Sequence, residues 1–124
     1  MTWLLVALAG GAGSVARYGV GLASQRLVPG ARLPVGTLAV NLLGCLLIGA
    51  LVTAFDARQV DPRVRAAVVT GFLGGFTTYS AFAYESLALA EQRSPAAAAL
   101  YTAVTLIGCA AACAAGIFLA RRAL

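Results

Sequence analysis

The sequence predicts an all-α membrane protein of four transmembrane helices, the third of them broken, and three observations carry that expectation. Of 124 residues, 61% are hydrophobic and only 10% are charged, against about 25% charged in an ordinary soluble domain. The apolar residues fall into four runs separated by short polar connectors. The third run holds two adjacent glycines followed by two threonines, which is poor helix material. A spanning helix takes about 20 apolar residues at roughly 1.5 Å each. Four spans with their loops therefore use residues 1–124 as one transmembrane domain.

The first span runs over about 2–24 and is interrupted by Arg17. Residues 25–34 form a loop, with Arg26, Pro29, Gly30, Arg32 and Pro34 as breakers and anchors. The second span covers about 35–55 and leads into a charged connector, 56–65. The third covers about 66–89, and Glu91, Gln92, Arg93, Ser94 and Pro95 make the next turn. The fourth covers about 96–120 and closes on Arg121 and Arg122. A secretory signal carries positive charge ahead of its apolar core, and nothing before Arg17 does, so the first span is expected to be retained.

Glycine and alanine are frequent inside the spans. Helices in lipid associate by close backbone approach, which small residues permit, so Gly10, Gly13, Gly21, Gly36, Gly44 and Gly49 are interface positions. Cys45, Cys109 and Cys113 all lie in apolar runs. Their odd number and spacing offer no disulfide framework or metal motif, and they read as small packing residues.

The net charge of +5 is entirely arginine, without lysine or histidine. These arginines sit mostly between apolar runs, which fits anchoring at lipid headgroups and not nucleic-acid binding. With four spans, Arg58, Arg63, Arg65, Arg121 and Arg122 share one side of the membrane, and Arg26, Arg32 and Arg93 the other. Arg17 lies near the second group. So small a bias does not select an orientation: the chain inserts poorly, or it inserts both ways. In the second case an antiparallel, dual-topology homodimer is expected, because homo-oligomers favour closed two-fold symmetry.

Polar groups inside a span are expensive and are functional candidates by default. Asn41 lies on the second span with Thr37 one turn earlier on the same face. Its amide offers two N–H donors or a carbonyl, to an ion or to a neighbouring helix. The passage Gly71 to Phe82 predicts a helix break, tolerated at membrane depth only where it lines a cavity or packs inside protein. Tyr79 and Phe82, three residues apart beyond that break, share a face, and their ring edges carry partial positive charge. Tyr101, Thr105 and Cys109 line one stripe of the fourth span. Arg17 and Glu85 are the only charges well inside spans, and either pair with each other or face a water-filled vestibule. With no histidine and four carboxylates in the chain, no nucleophile–base pair presents itself, and an enzyme is not expected. Four helices do not enclose a pore alone, so transport would need the dimer.

Three passages, Gly10-Gly11-Ala12-Gly13-Ser14-Val15-Ala16-Arg17-Tyr18, Gly36-Thr37-Leu38-Ala39-Val40-Asn41-Leu42-Leu43-Gly44 and Gly71 through Phe82, together resemble the Fluc fluoride channels, also called CrcB. The similarity covers all four spans in order. It implies a multi-pass protein of the inner (plasma) membrane, an antiparallel homodimer surrounded by lipid, through which fluoride leaves the cell passively by two pores. It implies that Asn41 donates to fluoride and that Tyr79 and Phe82 present ring edges to it. Thr37 and Ser80 would flank them, and the helix-four track would be Tyr101, Thr105 and Cys109. It also implies a central structural sodium ion held by the backbone carbonyls of Gly74 and Thr77. The chain departs from the family in Tyr79, where phenylalanine is usual, in Ala81, where threonine is, and in Cys109, where serine is common. A small multidrug-type dual-topology transporter is the alternative. It would call for a carboxylate in the first span, where this chain has Arg17. A scaffold subunit would explain the small residues but not the polar stripe.

Overall fold

The computed structural model describes all residues, Met1–Leu124, and the chain is entirely helical. Helix α1 spans Thr2–Leu27 and α2 spans Val35–Arg58. The third span, Pro62–Gln92, is composite: a short α3 (Pro62–Arg65), a π-helical segment (Ala66–Leu73), one further turn α4 (Gly74–Phe76), an interruption, and α5 (Tyr79–Gln92). Helix α6 spans Pro95–Ala123. All four spans are long and apolar enough to cross a membrane. Each helix continues past its apolar run into polar residues, since a helix ends where its backbone finds a cap and not where hydropathy falls.

Those caps are legible. Ser94 accepts from the Ala97 N–H at 3.1 Å, with Pro95 in the first helical position. Asp61 does the same for Arg63 at 2.7 Å, ahead of Pro62. Both arrangements satisfy an orphan donor of the first turn. Gln59 closes α2 in the left-handed region at φ 51°, and Arg65 pairs with Asp56 across this connector.

Four helices cross, but they pack as two pairs. Helix α1 lies along the π segment and α4, and α2 lies along α6, with α5 also resting on α6. The interruption in the third span thus hands the chain from one pair to the other. Within each pair the helices run parallel, as two odd or two even spans must. Gly10 faces Gly71 while Arg17 reaches Thr77, and Gly49 faces Cys113 while Gly116 lies against Leu46 and Ala50.

The closeness of the second pair depends on glycine. A Cβ on Gly49 would enter the Cys113 carbonyl, and one on Gly116 would enter the Leu46 carbonyl. Backbone meets backbone there, so nothing flexible can give way. Gly13 and Gly75 play the same part between α1 and the third span, against Phe72 and Gly10. Gly36 and Gly44 are interface positions as expected, and a Cβ on Gly36 would press on the Gly21 Cα, although one on Gly21 itself would meet open space.

Exposure is inverted relative to a soluble protein. Trp3, Leu8, Val15, Ile107 and Leu119 lie on the outside, while Asn41 and Thr105 are buried. Only 13 residues are buried at all, so most of the apolar surface must be covered by lipid or by other protein. The small core, Phe82, Leu89 and Tyr101 with Leu33, Leu38 and Ala98 against it, sits where α5 meets α6.

Candidate functional site

The helix break falls at Thr77–Thr78, inside the expected passage 71–82 and at its threonines, not at its glycines. Gly74 and Gly75 are helical, and their missing side chains serve packing rather than bending. Thr77 (φ −85°, ψ 160°) and Thr78 (φ −152°, ψ 121°) are extended. The hydroxyls explain why threonine suits the junction. Thr77 N–H and Oγ1 both donate to the Leu73 carbonyl at 2.9 Å, closing the first half. Thr78 Oγ1 accepts from the Ala81 N–H at 3.3 Å, capping the second half.

Asn41 closes the gap between them. Its Nδ2 donates to the Thr78 carbonyl at 3.0 Å, and its Oδ1 accepts from the Thr78 N–H at 2.9 Å. The amide pairs with the interrupted backbone as a neighbouring strand would, so Asn41 makes the interhelical hydrogen bond that its sequence position allowed. One of its two N–H groups remains without a protein partner.

A cleft of about 340 Å³ opens beside this junction. Asn41, Tyr79, Phe82, Thr105 and Cys109 all line it, together with Gly74, Thr77, Thr78 and Cys45. None of its lining residues is charged. Thr105 is 4% exposed, and its Oγ1 is buried without any hydrogen-bond partner. Tyr79 and Phe82 meet edge-on, with centroids 5.5 Å apart at 66°, and Phe82 in turn tilts against Tyr101 at 5.4 Å. Tyr79 is 75% exposed, whereas Phe82 is buried.

The remaining candidates lie elsewhere. Ser80 is on the opposite side of the break, in a second cleft with Arg17, Thr37, Thr78 and Tyr84, and its hydroxyl lies 3.4 Å from that of Thr78. Tyr101 is fully buried, and its hydroxyl is committed to Glu85 Oε2 at 2.8 Å. Thr37 donates to Glu85 Oε1 at 2.7 Å. Glu85 therefore joins α2, α5 and α6 as a shared acceptor. The expected alternative of an Arg17–Glu85 ion pair is corrected: Arg17 instead donates to the Thr77 carbonyl at 3.1 Å. Its guanidinium satisfies an acceptor that the break has removed from the helix ladder.

Sequence reasoning missed the π segment and the part played by Thr78. A threonine ahead of an apolar run is a readable capping signal, but nothing local pairs it with Asn41. It also missed that Cys45, one turn past Asn41, lines the same cleft.

Comparison with known proteins bears on what this arrangement does. The family described as CrcB-like protein, Camphor Resistance (CrcB), matches residues 4–117. A protein of Sorangium cellulosum named fluoride-specific ion channel FluC is 42% identical over 121 residues, covering 97% of this chain and 94% of the relative. Proteins of the same name from Paracoccus denitrificans and Anaeromyxobacter dehalogenans are 43% and 45% identical, over 97% and 95% of this chain and 94% of each relative. With four apolar helices, the Asn41 clamp at the break and a match running through all four spans, this chain is a multi-pass membrane protein that belongs to the CrcB family.

Proposed function

We propose that this protein is a fluoride-specific ion channel, which lets fluoride cross the membrane passively and performs no enzymatic reaction. The observation that carries the reading is the Thr105 hydroxyl, buried and unpartnered, in a cleft whose lining is uncharged. A buried hydroxyl without a partner costs about 1–3 kcal/mol, and a structure keeps such a group where something that crosses the site uses it. Asn41 adds an unpaired N–H within the same cleft, and Tyr79 and Phe82 add aromatic edges. Neutral donors at close range can replace the hydration of a small anion without binding it so tightly that it stays. The relatives named fluoride-specific channels support fluoride as that anion.

The reading includes an antiparallel homodimer as the working unit. One chain leaves Tyr79 three-quarters exposed and most apolar surface uncovered, and the near balance of arginines across the membrane supports insertion in both directions. A tag on the C-terminus would then report both sides of one membrane, and a single orientation in a working channel would refute this part.

The reading also includes a structural sodium ion, for which the two carbonyls differ in fit. Thr78 N–H turns to Asn41 and leaves the Gly74 carbonyl without its helical partner, and a Cβ at Gly74 would meet only the Val69 carbonyl, at 3.9 Å. The Thr77 carbonyl already accepts from Arg17. A carbonyl oxygen has a second lone pair, yet a cation there would share the oxygen with a guanidinium. Gly74 is thus the better ligand of the two, and sodium would supply positive charge at the junction without chemistry.

The test of the whole reading is fluoride efflux from liposomes loaded with potassium fluoride, triggered by valinomycin and read with a fluoride electrode, beside the same measurement with chloride. Fluoride efflux with no chloride efflux is expected. Equal fluxes of the two ions, or none of fluoride, would overturn it.

A further inference from the structure

We infer that Cys45 and Cys109 form a two-thiol binding site for a soft monovalent cation, silver(I) or copper(I), in the wall of the cleft at the helix break. Helices α2 and α6 run parallel and in register. Thr37 and Tyr101 meet at Glu85, Asn41 and Thr105 line one cleft, and Gly49 abuts Cys113. Each step is one helical turn on both helices, and the turn between the last two pairs carries Cys45 opposite Cys109. Both side chains line the cleft, and both are half-buried.

The chemistry around the pair decides which ion it takes. Calcium and magnesium need six or more oxygen ligands, and no carboxylate lines this cleft. Zinc takes three or four protein ligands, and nowhere do three histidine, cysteine or acidic side chains come together. Two sulfurs in an otherwise uncharged wall suit a thiophilic ion satisfied by two ligands. On binding, each thiol releases its proton to water, and two sulfur–metal bonds form. Two thiolates and one monovalent cation leave a net charge of −1 in a cleft otherwise lined by neutral groups, next to Thr105 and Asn41. Like charge at that range opposes the entry of an anion. The block of flux rests on the fluoride reading above, whereas the binding itself does not.

Silver nitrate in a chloride-free nitrate medium is the probe, with two readouts on the purified protein. The first is titration of the silver–thiolate charge-transfer absorption, followed by alkylation and mass spectrometry of each cysteine. One silver per chain is expected, with Cys45 and Cys109 protected together and Cys113 still alkylated. Cys45→Ser and Cys109→Ser should each weaken silver binding at least tenfold, and Cys113→Ala should leave it unchanged. Protection of Cys109 that survives Cys45→Ser, or protection that follows Cys113, would overturn the site. The second readout is fluoride efflux, which silver should stop in the unmodified protein and not in Cys45→Ser. If silver binds both thiols and efflux continues, the block is refuted. If no fluoride passes even without silver, the channel reading fails while the titration still decides the site.

Discussion

Asn41→Ala separates a structural clamp from an ion contact. Alanine removes both hydrogen bonds to Thr78, the 3.0 Å bond to its carbonyl and the 2.9 Å bond from its N–H. It also removes the spare N–H that faces the cleft. Interhelical hydrogen bonds in membrane proteins average about 0.6 kcal/mol and reach about 1.7, so two of them give roughly 1–3 kcal/mol. The upper half of that range is expected, because Asn41 is only 8% exposed and its loss strands two backbone groups of an interrupted helix. Thermal unfolding in detergent, followed by loss of the monodisperse peak, should shift downward by several degrees. Fluoride efflux should fall as well. Thr105→Val is the matched control. It removes a hydroxyl that has no partner, so it should leave stability unchanged or slightly higher while lowering efflux. If Asn41→Ala unfolds at the original temperature and loses only flux, the two bonds to Thr78 contribute nothing and the clamp is wrong. If Thr105→Val carries fluoride at the original rate, the orphan hydroxyl is not on the path.

Three further outcomes are expected. Tyr79→Phe should keep efflux within a few-fold, because the Tyr79 hydroxyl makes no hydrogen bond in the chain. Tyr79→Ile, which abolishes the edge-on ring against Phe82, should lose at least tenfold; equal losses in liposome efflux would mean that the hydroxyl carries the effect. Gly116→Ala should separate α2 from α6 and destabilise the fold by about 1–3 kcal/mol, as overpacking does, since the added carbon meets the Leu46 carbonyl; an unchanged unfolding temperature would refute that contact. Thr37→Val and Tyr101→Phe each remove one donor from Glu85, and hydrogen bonds to a charged group are worth about 1.5–3 kcal/mol. Their combined effect on unfolding should differ from the sum of the single ones, as residues sharing one network do, and strict additivity would show that Glu85 does not join them.

What the sequence determined by itself is whatever repeats locally along the chain. Four apolar runs with few charges can only be spans. That the third span breaks was also legible, because adjacent glycines and threonines weaken a helix wherever they occur. Which residues of that passage break it was not. Glycine reads as a breaker in isolation, yet in this chain Gly75 is helical because α1 needs the space at Gly10. The break moved to Thr77 and Thr78, whose hydroxyls and the Asn41 amide replace the lost backbone bonds. The partners of every buried polar group were likewise beyond the sequence. Asn41 finds Thr78 across 37 positions, Thr37 finds Glu85 across 48, and Arg17 finds Thr77 across 60. Periodicity says which face a residue occupies but not what stands opposite. The two charges inside the spans are the sharpest case: Arg17 and Glu85 invited an ion pair, and each instead satisfies neutral groups, because the close packing of α1 on the third span brings Arg17 to a carbonyl freed by the break. Hydrogen-bond demand created by the tertiary fold, and not the charge of the side chain, chose its partner.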